Sequence, residues 1–131
     1  MTNSRRKGKE GELELSHILA GYGFDTRRGQ QYSGASGDAD VIGVPGIHIE
    51  CKRCETTMID DWMEQSIRDA REGEVPVVMH RRSRKPWKAT MLLDDYIKQY
   101  QELLTLRKHV KELKMAVADL ITGGDEGGKR K

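Results

Sequence analysis

Residues 37–53, GDADVIGVPGIHIECKR, constrain this chain more than any other stretch. Two short apolar runs, 39–44 and 47–53, flank Pro45-Gly46 and read as two strands joined by a turn. Acids lie at the front edge (Asp38, Asp40), and Glu50 and Lys52 lie two apart at the back. Strand side chains alternate, so Glu50 and Lys52 emerge on one face. A carboxylate in buried β structure is costly unless it is paired, hydrated or bound to a metal. Register decides whether Asp40 joins them. A plain two-residue loop would pair Asp40 with Cys51 and Val41 with Glu50, sending the two carboxylates to opposite faces. An odd loop, a bulge or a bend at Asp40 shifts the pairing by one and brings them together. Pro-Gly favours the shift, because its type II turn suits tight hairpins poorly.

The rest of the chain supplies elements to enclose this pair. Residues 8–24 carry Leu15, Ile18, Leu19 and Tyr22 at helical spacing, with Gly21 and Gly23 at the end. Glu12 falls near the border of that stripe. It is either a half-exposed acid favoured by the helix dipole or an acid aimed over the sheet. A short strand is expected over 23–28, then a Gly/Ser-rich loop over 29–37. A second helix is expected over 58–72, with a stripe of Ile59, Met63, Ile67 and Ala70 and a capping box of Thr57 and Asp60. Strands follow at 75–81 and 87–93. The order αβββαβ(β) predicts an α/β domain with a mixed sheet covered by helices.

Beyond this core, Leu103, Leu106, Val110, Leu113, Val117 and Leu120 repeat at 3-4-3-4-3 spacing, and Tyr96 and Gln99 extend the pattern backwards. This is a heptad seam. Valine at a with leucine at d suits a parallel two-stranded coil, in which Glu102 at g meets Arg107 at e of the partner helix. The expected division is a core over 1–93, a dimerising coiled coil over 94–121 and a disordered tail over 122–131. The alternative for the helix is that it folds back on its own domain.

At 131 residues, 36% apolar and 34% charged, the chain can bury only a small core, which makes oligomerisation reasonable. No stretch approaches the roughly 20 apolar residues of a membrane span, and no apolar run follows the basic N-terminal residues as in a secretory signal. A cytoplasmic location is expected. Net charge is only +2, but basic residues cluster at 4–9, at Arg27-Arg28, at Lys52-Arg53 and over 80–88. Such clusters suit a polyanion-facing side or, more blandly, a solvated surface. The candidates for contacts with the phosphates of such a polyanion are Arg5, Arg6, Lys7, Lys9, Arg27, Arg28, Tyr32, Arg53, Arg81, Arg82, Arg84, Lys85 and Lys88. Trp87 suits either base stacking or the core. Cys51 and Cys54 form a single CxxC with no second pair, so reduced structural thiols are expected rather than a zinc or redox site.

Two carboxylates, Asp40 and Glu50, beside the ammonium of Lys52 would make a hard-oxygen site of the kind Mg²⁺ prefers, suited to phosphate chemistry. The bland alternative is an edge ion pair that discourages aggregation. The residues Glu12, Asp40 and Glu50-Cys51-Lys52, in that order, resemble the PD-(D/E)XK nuclease superfamily. Within it, Lys7-Gly8-Lys9-Glu10-Gly11-Glu12 resembles the KGxxxE opening of archaeal-type Holliday junction resolvases and small phage nucleases, over residues 4–93. The resemblance implies a restriction-endonuclease-like core and a dimeric, metal-dependent endonuclease acting on branched DNA. Mg²⁺ would be the cofactor, with Mn²⁺ as substitute. It implies Asp40 and Glu50 as metal ligands with the Cys51 carbonyl, Glu12 as an assisting acid, Lys52 as the catalytic lysine, and Gln65 on the following helix. Asp40 follows Ala rather than Pro, and the C-terminal heptads lie outside the resolvase core. Nicked, flapped or linear duplex DNA is an alternative substrate, and a non-catalytic DNA-binding dimer an alternative role.

Overall fold

The computed structural model describes residues 2–30 and 39–129. The chain forms two compact units, residues 1–92 and 93–131. The first holds α1 (Thr2–Gly21), β1 (Arg27–Arg28), β2 (Val41–Ile42), β3 (Ile47–Arg53), α2 (Ile59–Asp69), β4 (Val75–Arg81) and β5 (Lys88–Met91). Its five strands form one sheet in the order β1-β2-β3-β4-β5. β3 and β4 run parallel across the α2 crossover and the other neighbours pair antiparallel, so the sheet is mixed, as the element order predicts.

Alternation along β3 divides the core into two layers. Ile49 packs with Leu15 of α1 and Val41 of β2, with Cys51, Met79 and Trp87 beside them. On the opposite face Val78 packs with Trp62 and Met63 of α2. The α1 backbone comes close to β3 at Gly11, where a Cβ would sit 3.1 Å from that of Arg53. Gly8, the glycine of the KGxxxE resemblance, has open space around it.

Several boundaries differ from the sequence expectation. α1 begins at Thr2, because arginine and lysine propagate a helix well and Arg6 pairs with Glu10 one turn on at 3.5 Å. The basic residues 5–9 therefore lie on the helix rather than before it. Its inner face is Gly11, Leu15, Ser16 and Leu19; Ile18 and Tyr22 are exposed. β1, β2 and β5 are shorter than expected. The α2 stripe is Ile59, Trp62, Met63 and Ser66, and Ile67 is exposed. Its N-cap is Met58 with no side-chain cap, so the Thr57–Asp60 box does not form. Tyr32, Asp38 and the loop residues 31–37 lie outside the described residues.

The second unit is α3 (Leu93–Lys129). Its helical backbone continues past residue 121, where the tail was expected, through a segment whose four glycines are poor helix formers. Residues 130–131 lie outside the described part. Every apolar seam residue from Leu103 to Leu120 is exposed, between 41% and 77%. No helix among the described residues is long and apolar enough to cross a membrane.

Candidate active site

The register of β2 on β3 assembles the site. Val41 lies opposite Ile49, one residue away from the pairing a plain two-residue hairpin would give. The chain bends at Asp40, whose amide also reaches the Ile49 carbonyl at 3.0 Å. Gly43, at φ +113°, and Gly46, at φ +77°, carry the connection through conformations that other residues rarely adopt. The shifted pairing brings the Asp40 carboxyl against Glu50, with a hydrogen bond between the two side chains. The Cys51 amide donates to Asp40 Oδ2 at 2.8 Å.

Two acids this close cannot both ionise cheaply. Burial first, and the charge of Glu50 second, push the Asp40 carboxyl up to about 7. Burial also pushes Glu50 upward, but hydrogen bonds from His48 and Asp40 outweigh it and hold Glu50 below the usual carboxylate range. His48 Nε2 lies 2.9 Å from Glu50 Oε1, with both side chains almost wholly buried. Burial alone would lower the imidazole; the Glu50 hydrogen bond and the charges of Glu50, Glu74 and Asp69 raise it instead. Lys52, on the same face two residues on, donates from Nζ to Gln65 Oε1 at 3.1 Å. The sequence-expected Gln65 thus reaches the site because the α2 stripe is rotated toward Trp62 and Ser66.

Asp40, Cys51 and Lys52 line a cleft of about 450 Å³ together with Lys7, Gly8, Glu12, Arg53 and Cys54. Glu12 reaches this cleft from α1, with its Oε2 held by Arg28 Nε at 2.7 Å. Cys51 and Cys54 are free thiols. Burial and the nearby Asp40 and Glu12 charges hold the Cys51 thiol far above its ordinary value, which makes it inert as a nucleophile.

Among the described residues no group of three or more His, Cys, Asp or Glu side chains closes into a metal cage. The donor set fits a hydrated hard cation nonetheless. Two carboxylates in contact, beside the backbone of Cys51, suit an ion that keeps several waters.

The basic candidates divide by position. Arg5, Arg6 and Lys9 are exposed on the first turns of α1, and Arg27 is exposed on β1. Lys85 and Lys88, with Arg81, Arg82 and His80, line a concavity of about 340 Å³. Arg84 is exposed in the turn between β4 and β5 with φ 64°. Arg53 and Arg81 instead converge on Glu14 of α1, at 3.6 and 3.3 Å. Glu14 also accepts from Trp87 Nε1 at 2.8 Å, so Trp87 is a core residue and Arg81 lies over its ring. Arg28 is engaged by Glu12 and Lys7 by Glu55, at 3.2 Å. Glu55 also accepts from the Ser83 amide at 3.1 Å and from its hydroxyl, closing a clasp between α1 and the β4–β5 turn.

Sequence reasoning missed His48, Glu14 and the Glu55 clasp. His48 carried a legible signal, since it precedes Glu50 by two and must share its face. The other two depend on contacts 28 or more residues apart.

The family model described as "Phage putative PDDEXK endonuclease" matches residues 3–123, and the chain belongs to that family. Among solved structures it is similar to Hjc of Archaeoglobus fulgidus, a Holliday junction resolvase from an archaeal hyperthermophile. The identity is 24%, over 63% of this chain and 74% of that one, with a TM-score of 0.49. No curated protein matches.

Proposed function

We propose that this PD-(D/E)XK endonuclease hydrolyses DNA phosphodiesters with Mg²⁺ and acts as a homodimer on branched duplexes in the cytoplasm. The observation that carries the reading is the Asp40–Glu50 carboxylate pair, with Asp40 and Lys52 lining one cleft. Asp40, Glu50 and the Cys51 carbonyl would hold the ion, with Mn²⁺ as a substitute. When bound, the ion supplies Lewis acidity toward a phosphate and lowers the pKa of water. Lys52, steadied by Gln65, orients the attacking water or neutralises charge developing on the phosphate. Glu12, paired with Arg28, assists from across the cleft.

Exposed Arg5, Arg6, Lys9, Arg82, Arg84, Lys85 and Lys88 would hold the DNA backbone without reading sequence. The preference for branched DNA rests on the KGxxxE and ExK resemblance. Dimerisation is assigned to α3, whose exposed seam is occupied by the same helix of a second copy. Valine at a, leucine at d and the Glu102–Arg107 charge match support a parallel pair. A dimer carries two active sites related by a two-fold axis, suited to cutting two strands symmetrically.

The test is cleavage of labelled four-way junction, flap and linear duplex in Mg²⁺ or EDTA, with Glu50→Ala and Lys52→Ala as controls. Junction cleavage that needs Mg²⁺ and both residues supports the proposal. Binding without cleavage of any substrate would leave a DNA-binding scaffold, and preferential duplex cleavage would move the substrate away from branched DNA.

A further inference from the structure

We infer that His48 is a positioning residue for Glu50 and that Glu74 anchors it from behind. The inference rests on the metal-binding role of Glu50 proposed above. His48 and Glu50 are each only 3% exposed, and His48 Nε2 is 2.9 Å from Glu50 Oε1. A buried imidazole and carboxylate cost more than the apolar residues that could fill the same space. Packing alone therefore gives no reason for histidine two residues before Glu50 on a central strand.

The geometry supplies one. Bonding to His48 engages one oxygen of Glu50 and restricts rotation of the carboxylate, while the group as a whole remains turned toward Asp40. The imidazole is itself steadied. Its Nδ1 lies 3.7 Å from Glu74 Oε1, and that oxygen accepts the Arg71 amide at 2.7 Å. The Glu74 amide returns a bond to the Arg71 carbonyl at 3.0 Å, so the anchor is part of the tight turn between α2 and β4. A chain of contacts thus runs from that turn through Glu74 and His48 to Glu50. His48 and Glu74 line a cavity of about 300 Å³ that shares no lining residue with the cleft of Asp40, Cys51 and Lys52. His48 is not among the residues that line that cleft and acts through Glu50.

Partners that orient metal-binding carboxylates typically change metal affinity by about 10–100-fold when removed. The experiment measures Mn²⁺ affinity by titration calorimetry, with kcat and KM for DNA, in the wild type, His48→Leu, His48→Gln and Glu74→Ala. His48→Leu should weaken Mn²⁺ binding about 10–100-fold and lower kcat with KM for DNA unchanged. His48→Gln, whose amide N–H can still reach Glu50, should recover most of the affinity. Glu74→Ala should weaken it several-fold, and it carries the test if His48→Leu fails to fold.

Wild-type Mn²⁺ affinity in a folded His48→Leu chain, or in Glu74→Ala where that variant carries the test, overturns the positioning role. Glu50→Ala separates the two claims. If it loses the ion while His48→Leu keeps it, the metal site stands and His48 does not position it. If Glu50→Ala itself binds Mn²⁺ normally, both readings fall.

Discussion

At the scale of single residues, the chemistry concentrates on one face of β3. His48, Glu50 and Lys52 share that face, and each has its own partner in Glu74, Asp40 or Gln65. Lys52→Ala should lower the cleavage rate about 10²–10³-fold, because charge stabilisation of this kind carries such factors. Lys52→Arg should not restore it, since a planar fork does not replace a compact ammonium; quenched-flow cleavage of a labelled substrate measures both. Glu55 offers a test independent of activity. Hydrogen bonds from Ser83, then Lys7, hold its carboxyl at about 2, below the ordinary value of 4.5. A depressed folded pKa stabilises above the unfolded value, so the clasp should be fully effective above about pH 4.5 and lost as pH falls toward 2. Thermal unfolding of Glu55→Gln should therefore match the wild type in strong acid and fall below it at neutral pH. The shared face of Glu50 and Lys52 was legible because a period of two leaves little freedom. The link from Lys52 to Gln65 was not, because Ser66 reads as polar yet is fully buried, which rotates α2 relative to its aliphatic stripe.

At the scale of elements, β3 and β4 have the limits their sequences predict. Each is a seven-residue run bounded by turn residues, and each is paired along its length with the other. β1 and β2 shrink to two residues because the chain bends at Asp40 and turns at Gly43, features set by pairing rather than composition. Gly43 is a strict requirement: at φ +113° a Cβ would overlap the backbone of Asp25. Gly43→Ala should cost at least about 1–2 kcal/mol from the left-handed backbone alone. By displacing the strands that carry Arg28 and Asp40 it should also impair cleavage, so urea unfolding and activity should fall together. Ile49→Ala opens a void at the fully buried centre of the first layer and should cost about 2–5 kcal/mol in the same unfolding assay. The α1 start was illegible because Gly8 interrupts its helical pattern, a cost of only about 1 kcal/mol that the rest of the helix absorbs.

At the scale of the whole molecule, the 3-4 repeat of α3 was fully legible, because a heptad pattern needs no knowledge of the core to be seen. Its consequence is measurable. Leu106→Asp with Leu113→Asp should convert a two-chain sedimenting species to one chain while leaving every cleft residue in place; an unchanged mass would exclude the seam as the interface. On the proposed reading, phosphodiester cleavage at a single position should survive, and any coupling between two cuts in one junction should be lost. The bond from the Cys51 amide to the Asp40 carboxylate has a further consequence. In an ordinary ladder that amide would seek a strand carbonyl, and a carboxylate in that role ends the pairing. Asp40→Ala would leave a strand amide without its partner, and so expose a template for self-addition by other chains. Asp40→Asn preserves an acceptor oxygen there, and of the two variants it should be the one that stays dispersed at high concentration.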